Sequence, residues 1–118
     1  MSKYSNFCHE IIIGNIEEVK RIYSLGIIDI HRQKDEPFRL ACSYDRLEIA
    51  KWLYSLGDVD IYTGNNNLFR YAIVFSNIEI ARYLHTLDPN IYRTHPEFFY
   101  KHCIEDLERG SMTKVCRQ

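Results

Sequence analysis

FRLACSYDRLEIAKWLYSL, residues 38–56, is followed 31 residues later by FRYAIVFSNIEIARYLHTL, residues 69–87. The same offset carries Gly57 back to Gly26 and Phe38 back to Phe7, so a third copy begins near the first residue. Self-similarity at a fixed period of roughly 20 to 50 residues predicts a solenoid, whose units bury their apolar faces against their neighbours. The coinciding pairs are Phe38/Phe69, Ala41/Ala72, Glu48/Glu79, Ala50/Ala81, Leu53/Leu84 and Leu56/Leu87.

Each unit is predicted to hold two helices joined by a tight turn. Apolar residues recur at the i, i+3 and i+4 spacing of one helix face from Phe38 onward, which predicts a short first helix. A second helix is predicted from Leu47 to Leu56, and Gly57 follows where a left-handed residue ends a helix. The turn-forming residues of TGNNN then favour a short extended loop that leads into the next unit.

The polar face of the second helix is expected to point outward. Trp52 lies on this face, and Tyr83 occupies the same position one unit later. Trp52 either lies flat over Tyr83 and the stems of Lys51 and Arg82, or it marks an interface, as exposed tryptophan often does. Both alternatives are kept at this point.

The second unit resembles the ankyrin repeat, whose pattern runs approximately T-P-L-H-x-A-A, then G-H-L-E-V-V-K-L-L-L and G-A-D. The matching residues are 36–42, 45–51 and 57–60, which read EPFRLAC, DRLEIAK and GDVD. FRLAC followed by LEIAKWLYSLG looks especially like the ankyrin proteins of giant DNA viruses of amoebae. The resemblance covers residues 5 to 95 and weakens at both ends.

This resemblance implies an all-α ankyrin-repeat solenoid of three helix–turn–helix units with short extended loops. A chain of 118 residues has room for one such domain and one modest core. A helix start at Pro96 and a stop at Gly110 predict a C-terminal capping helix. The expected boundaries are units of about 5–34, 35–65 and 66–95, a cap at 96–110 and a tail at 111–118.

The turn between the two helices departs from the ankyrin pattern. Its glycine survives as Gly14, whereas Asp45 and Ser76 stand at the same place in the next two units. Aspartate tolerates the left-handed conformation better than serine does, so a distorted turn is expected at Ser76. The period of 31 residues is short against the usual value of about 33, which suggests trimmed loops.

Composition argues against several classes of partner and location. A formal charge of −1 does not favour nucleic-acid binding, and the apolar runs fall short of the roughly 20 residues that cross a bilayer. No small-molecule substrate is indicated, and a monomer is expected. The four cysteines form no CxxC pair, which favours reduced thiols in a cytoplasmic setting, the host cytoplasm if the protein is viral.

Neighbouring Cys and His residues raise the alternative of a Cys/His hydrolase. Cys8 precedes His9 and His102 precedes Cys103, and a nucleophilic thiolate needs a base within reach. Adjacent residues on a helix point about 100° apart, however, and no third orienting group is evident. Since the histidines also lack metal-binding spacing, we expect a protein without catalytic residues, metal or cofactor.

The resemblance instead implies partner binding in a concave groove formed by the first helices and the loops. Tyr, Phe and Arg are residue types enriched in binding hot spots. Tyr44 and Phe75 either bind a partner or pack against a neighbouring loop, and Arg39 and Arg70 have the alternative of hydrogen bonding within the repeat. The candidate residues are Arg39, Ser43, Tyr44, Tyr62, Asn65, Asn66, Arg70, Val74 and Phe75, with Arg32, Gln33 and Lys34 in the loops.

The function expected from the sequence is therefore a protein-interaction scaffold that binds an unidentified protein. One alternative is an adaptor that recruits the bound protein to a larger complex such as a ubiquitin ligase. That alternative assigns the second binding site to residues 96–118.

Overall fold

A computed structural model describes residues 2–63 and 68–91, and these residues form α-helices joined by turns and loops. No β-strand occurs within these two ranges, so the all-α prediction is confirmed for them. The predicted capping helix at 96–110 and the tail at 111–118 lie outside the described residues. The helices are α1 Lys3–Ile13, α2 Ile16–Ser24, α3 Arg32–Ser43, α4 Leu47–Ser55, α5 Leu68–Val74 and α6 Ile78–Leu87.

The helices pack in consecutive pairs, and each pair contacts the next one. Helix α1 packs on α2, α3 on α4 and α5 on α6, while α1 also contacts α3, α3 contacts α5 and α4 contacts α6. Phe7, Phe38 and Phe69, which stand 31 residues apart, are all fully buried on these first helices. Each burial stabilises the fold by about 1.5–3 kcal/mol. The repeated sequence positions therefore occupy equivalent core positions.

The second helix of each pair follows its predicted limits closely. Helix α4 ends at Ser55, one residue before the predicted end, and Gly57 has φ +105°. Ile49, Ala50 and Leu53 form its buried face. The first helix differs more from its prediction, because α3 begins at Arg32 and not near Phe38.

The turn between paired helices has the same structure in all three pairs. Gly14, Asp45 and Ser76 are left-handed, with φ values of +85°, +61° and +60°. In each turn the N–H of the next residue donates to the carbonyl five residues earlier, at 3.0, 2.8 and 2.8 Å. This is the Schellman helix end, which satisfies carbonyls that would otherwise lack donors. The expectation of a distorted turn at Ser76 was wrong, because helix-end hydrogen bonding outweighs the preference of serine.

Arg46 joins the first turn to the second pair of helices. Its Nε and Nη2 atoms donate to the Ile12 carbonyl at 2.9 and 2.7 Å, near the end of α1. A Cβ atom at Gly14 would lie 3.1 Å from the Arg46 guanidinium. Gly14 is therefore needed both for its positive φ and for the close approach of this side chain.

Candidate functional site

Large apolar side chains remain exposed at the C-terminal ends of the first helices. Ile13, Tyr44 and Phe75 are 52%, 48% and 67% exposed, and they stand 31 residues apart. Because α1, α3 and α5 pack one beside the next, these three side chains form one row across the molecule. We call Ile13, Tyr44 and Phe75 the apolar row. The sequence analysis overlooked Ile13, although the 31-residue offset from Tyr44 would have found it.

Two further residues of α5 widen the apolar row at one end. Val74 is 51% exposed, and the Tyr71 ring lies 6.1 Å from the Phe75 ring, between centroids. Tyr71 is a second residue that the sequence analysis missed. The most extensive exposed apolar surface of the described residues that lie on helices is therefore on α5.

Tyr44 and Phe75 stay accessible at these positions. The alternative in which they pack against a neighbouring loop would bury them, yet half of the Tyr44 side chain and two thirds of the Phe75 side chain face solvent. Ser43 and Arg70 are exposed on the same helices. The candidates Asn65 and Asn66 lie outside the described residues.

Arg39 is held in place by an unusual turn that precedes the helical part of α3. Gln33, Lys34 and Asp35 all have positive φ, between +53° and +60°. The Arg39 guanidinium donates to the carbonyls of Lys34 and Gln33, at 3.0 and 2.7 Å. This matches the hydrogen-bonding alternative considered for Arg39. Since both acceptors are neutral, Arg39 keeps its positive charge.

Asp35 connects the loop of the second unit to the loop that follows it. Its carboxylate is mostly buried, lies 2.5 Å from His31 Nδ1, and accepts a hydrogen bond from the Asp60 N–H at 3.1 Å. The Thr63 hydroxyl donates to the Lys34 carbonyl in the same junction. The hydrogen bond to Asp35 raises the pKa of His31. The two loops are therefore tied together by groups of which one titrates near neutral pH.

Tyr62 is also engaged within the fold. Its hydroxyl donates to the Asp88 carboxylate, and this hydrogen bond is the main reason that the pKa of Tyr62 rises to about 12. The same contact lowers the pKa of Asp88. Tyr62 thus links the loop after the second pair of helices to the end of α6.

Aromatic residues on the second helices pack against each other. The Trp52 ring meets Tyr23 edge to face, with 5.3 Å between centroids and an interplanar angle of 88°. Tyr54 and Tyr83 repeat this geometry at 6.3 Å and 87°. The expectation that Trp52 lies over Tyr83 was wrong, because Trp52 packs against the preceding helix pair. These rings stabilise the packing between pairs by about 0.5–1.5 kcal/mol each beyond their buried area.

The described cysteines lie in environments that oppose thiolate formation. Burial raises the pKa of Cys8, which is half-buried beside Tyr4, and burial also raises the pKa of Cys42. A nucleophilic cysteine needs the opposite shift. Within residues 2–63 and 68–91, no group of three or more His, Cys, Asp or Glu residues could hold a metal ion. His102 and Cys103 lie outside the described residues, as does the 96–118 segment of the adaptor alternative.

Comparison with protein-family models, with curated proteins and with solved structures found no match to this chain. In the part of the chain that the structure describes, no helix is both long enough and apolar enough to cross a membrane. The functional argument therefore depends on the exposed surface of the first helices.

Proposed function

We propose that this chain is a non-enzymatic protein-binding scaffold, folded as an ankyrin-like solenoid of three helix–turn–helix units. The exposure of the apolar row is the observation that carries the proposal. Exposed apolar side chains are unremarkable when scattered singly, but a contiguous group of them is typical of an interaction site. The cytoplasm is the proposed setting, because cysteines without a disulfide-type spacing suit a reducing compartment.

The repeated structure supports the solenoid part of the proposal. Three helix pairs share one Schellman turn, and the buried phenylalanines of the first helices recur at a single offset. Two edge-to-face aromatic contacts join successive pairs in the same way. Stability in a solenoid comes from such contacts between neighbouring units.

The rigidity of this surface supports binding. The apolar row lies on helices that are packed on both sides or anchored by buried side chains, so little backbone freedom remains to be lost when a partner docks. Side chains with two rotatable bonds, such as Tyr44 and Phe75, also lose little entropy when they become immobilised. Aromatic residues in such positions are typical hot spots.

Affinity purification with the wild-type chain and a row variant tests the proposal. The variant is Tyr44→Ala/Phe75→Ala, and the control is Leu25→Ala/Ile27→Ala, which removes two exposed apolar side chains outside the apolar row. Quantitative mass spectrometry should detect proteins that bind to wild type and to the control but are lost with the row variant. If no protein depends on the row while all three chains remain folded by circular dichroism, the proposed function is wrong.

A further inference from the structure

The surface around the apolar row lacks negative charge. It comprises positions 8, 9, 12 and 13 of α1 and their counterparts 31 and 62 residues later on α3 and α5, which we call the first-helix face. None of these residues is buried, and none is Asp or Glu. Arg39 and Arg70 supply two positive charges among mainly apolar side chains.

This absence of carboxylates is not a consequence of overall composition. The chain has 16 acidic and 15 basic residues, and the second helices expose both signs. There the charges are paired, as in the contacts of Arg21 with Glu18 at 2.5 Å and of Arg82 with Glu79 at 3.5 Å. The first-helix face therefore differs in charge from the remainder of the helical surface.

From this charge pattern we infer that the first-helix face binds an acidic and apolar protein segment. Large apolar side chains of the segment cover the apolar row, while its carboxylates lie near Arg39 and Arg70. This inference rests on the proposed function and adds the chemistry of the partner. Complementary charge favours the correct partner and repels basic segments, whose lysines would meet like charge.

The position of Arg39 favours this partner further. Two backbone carbonyls hold its guanidinium, so its charge is presented in a fixed place and binding costs little additional side-chain ordering. A guanidinium can still donate from its remaining N–H groups to a carboxylate. The site is thus arranged for a charge-assisted hydrogen bond.

A protein segment is favoured over nucleic acid by the charges of the loops. Asp29, Asp58 and Asp60 are exposed in the loops that adjoin the turn holding Arg39. A long phosphate backbone would meet these carboxylates, and the chain as a whole has a formal charge of −1. A short segment can keep its carboxylates on the two arginines alone.

Selection from a library of random short peptides tests the inference. Peptides are displayed on phage, selected on the wild-type chain and depleted on the Tyr44→Ala/Phe75→Ala variant, so that only row-dependent binders survive. We expect these peptides to be enriched in Asp and Glu together with Leu, Phe, Tyr or Trp. Their affinity should fall as salt concentration rises.

Charge variants then locate the electrostatic contribution with one selected peptide. Arg70→Gln and Arg39→Gln should each weaken binding by roughly tenfold and reduce its salt dependence. Lys20→Gln, at an exposed position of α2, is the matched control and should leave the affinity unchanged. Circular dichroism of Arg39→Gln shows whether loss of the hydrogen bonds to the turn has unfolded the chain, and Arg70→Gln gives the result if it has.

The possible outcomes separate this inference from the proposed function. Row-dependent peptides that are neutral or basic would overturn the acidic partner and leave protein binding intact. Row-dependent binding of a single-stranded RNA probe would replace the protein segment with a nucleic acid. If neither peptides nor RNA depend on the apolar row, both the proposed function and this inference are wrong.

Discussion

The aromatic residues of the second helices and those at the ends of the first helices have opposite fates. Trp52 packs on Tyr23, and Tyr83 on Tyr54, each edge to face across the boundary between helix pairs. Phe75, by contrast, is 67% exposed. Residues of one chemical type thus stabilise the stack on one side of the molecule and remain available to a partner on the other. Position within the repeat, and not residue type, decides which role each ring has.

The largest expected effect compares two phenylalanines in successive first helices. Phe38→Ala should lower the free energy of unfolding by about 3–5 kcal/mol, because it leaves a cavity in the core. Phe75→Ala should change it by no more than about 0.5 kcal/mol, as surface substitutions do. Urea denaturation followed by circular dichroism measures both values. Equal losses from the two variants would contradict the division between buried and available rings.

The turns between paired helices offer a second comparison. Gly14→Ala should destabilise the fold by about 1–2 kcal/mol, because alanine is strained at positive φ and its Cβ would crowd Arg46. Ser76→Gly should stabilise it by about 0.5–1 kcal/mol, since relief of that strain exceeds the entropy cost of glycine. Thermal unfolding of the two variants should therefore shift in opposite directions. A shared direction would mean that the three turns differ in structure.

A double-mutant cycle sharpens the comparison of the aromatic residues. Replacing Tyr23 and Trp52 by leucine, singly and together, should give a coupling energy of about 0.5–1.5 kcal/mol for their edge-to-face contact. The same cycle on Tyr44 and Phe75 should give less than about 0.3 kcal/mol, because exposed residues without a shared partner are nearly additive. Chemical denaturation provides the eight free energies. Strong coupling between Tyr44 and Phe75 would show that the apolar row is packed against itself.

The smallest expected effect concerns pH and the loop junction. The contact with Asp35, helped by Asp29 and Asp58, raises the pKa of His31 in the folded state. Its stabilising contribution is therefore fully present below the ordinary histidine pKa of about 6.5 and is lost as pH rises through the higher folded value. Stability of wild type relative to His31→Gln should decline across this window.

The paired readout for His31 is its own titration. Nuclear magnetic resonance should find a pKa above the ordinary value in wild type and a return towards that value in Asp35→Asn. An unshifted His31 in the wild-type chain would contradict the junction between the two loops. His9, which is exposed on α1, provides the reference histidine in the same spectra.

Local periodicity made much of the helical structure predictable from the sequence. The spacing of apolar residues and the glycine that follows them predicted α4 to within one residue of its end. The repeat offset also predicted the burial of Phe7, Phe38 and Phe69. Each of these features depends on a few residues close together in the chain, and patterns of this kind are visible without coordinates.

Features that depend on two units at once could not be predicted in the same way. The partner of Trp52 is Tyr23 of the preceding pair, and the choice between Tyr23 and Tyr83 depends on how far neighbouring helices are displaced. Asp35 stands in a stretch, HRQKDE, that resembles a solvated loop, yet it is buried by the loop that follows. The candidate site was predicted in part, since Tyr44, Val74 and Phe75 are exposed, whereas Arg39 and Tyr62 are engaged within the fold.

The reach of Arg46 back to the Ile12 carbonyl makes the order of the repeats meaningful. The corresponding residue in the next repeat is Asn77, which is too short to bridge the same gap. Modules cut from this chain and rejoined in another sequence would therefore assemble with unequal cohesion at their boundaries. Anyone who lengthens the array by duplicating a module should copy residues 35–65, since that module brings its own clasp to whatever precedes it.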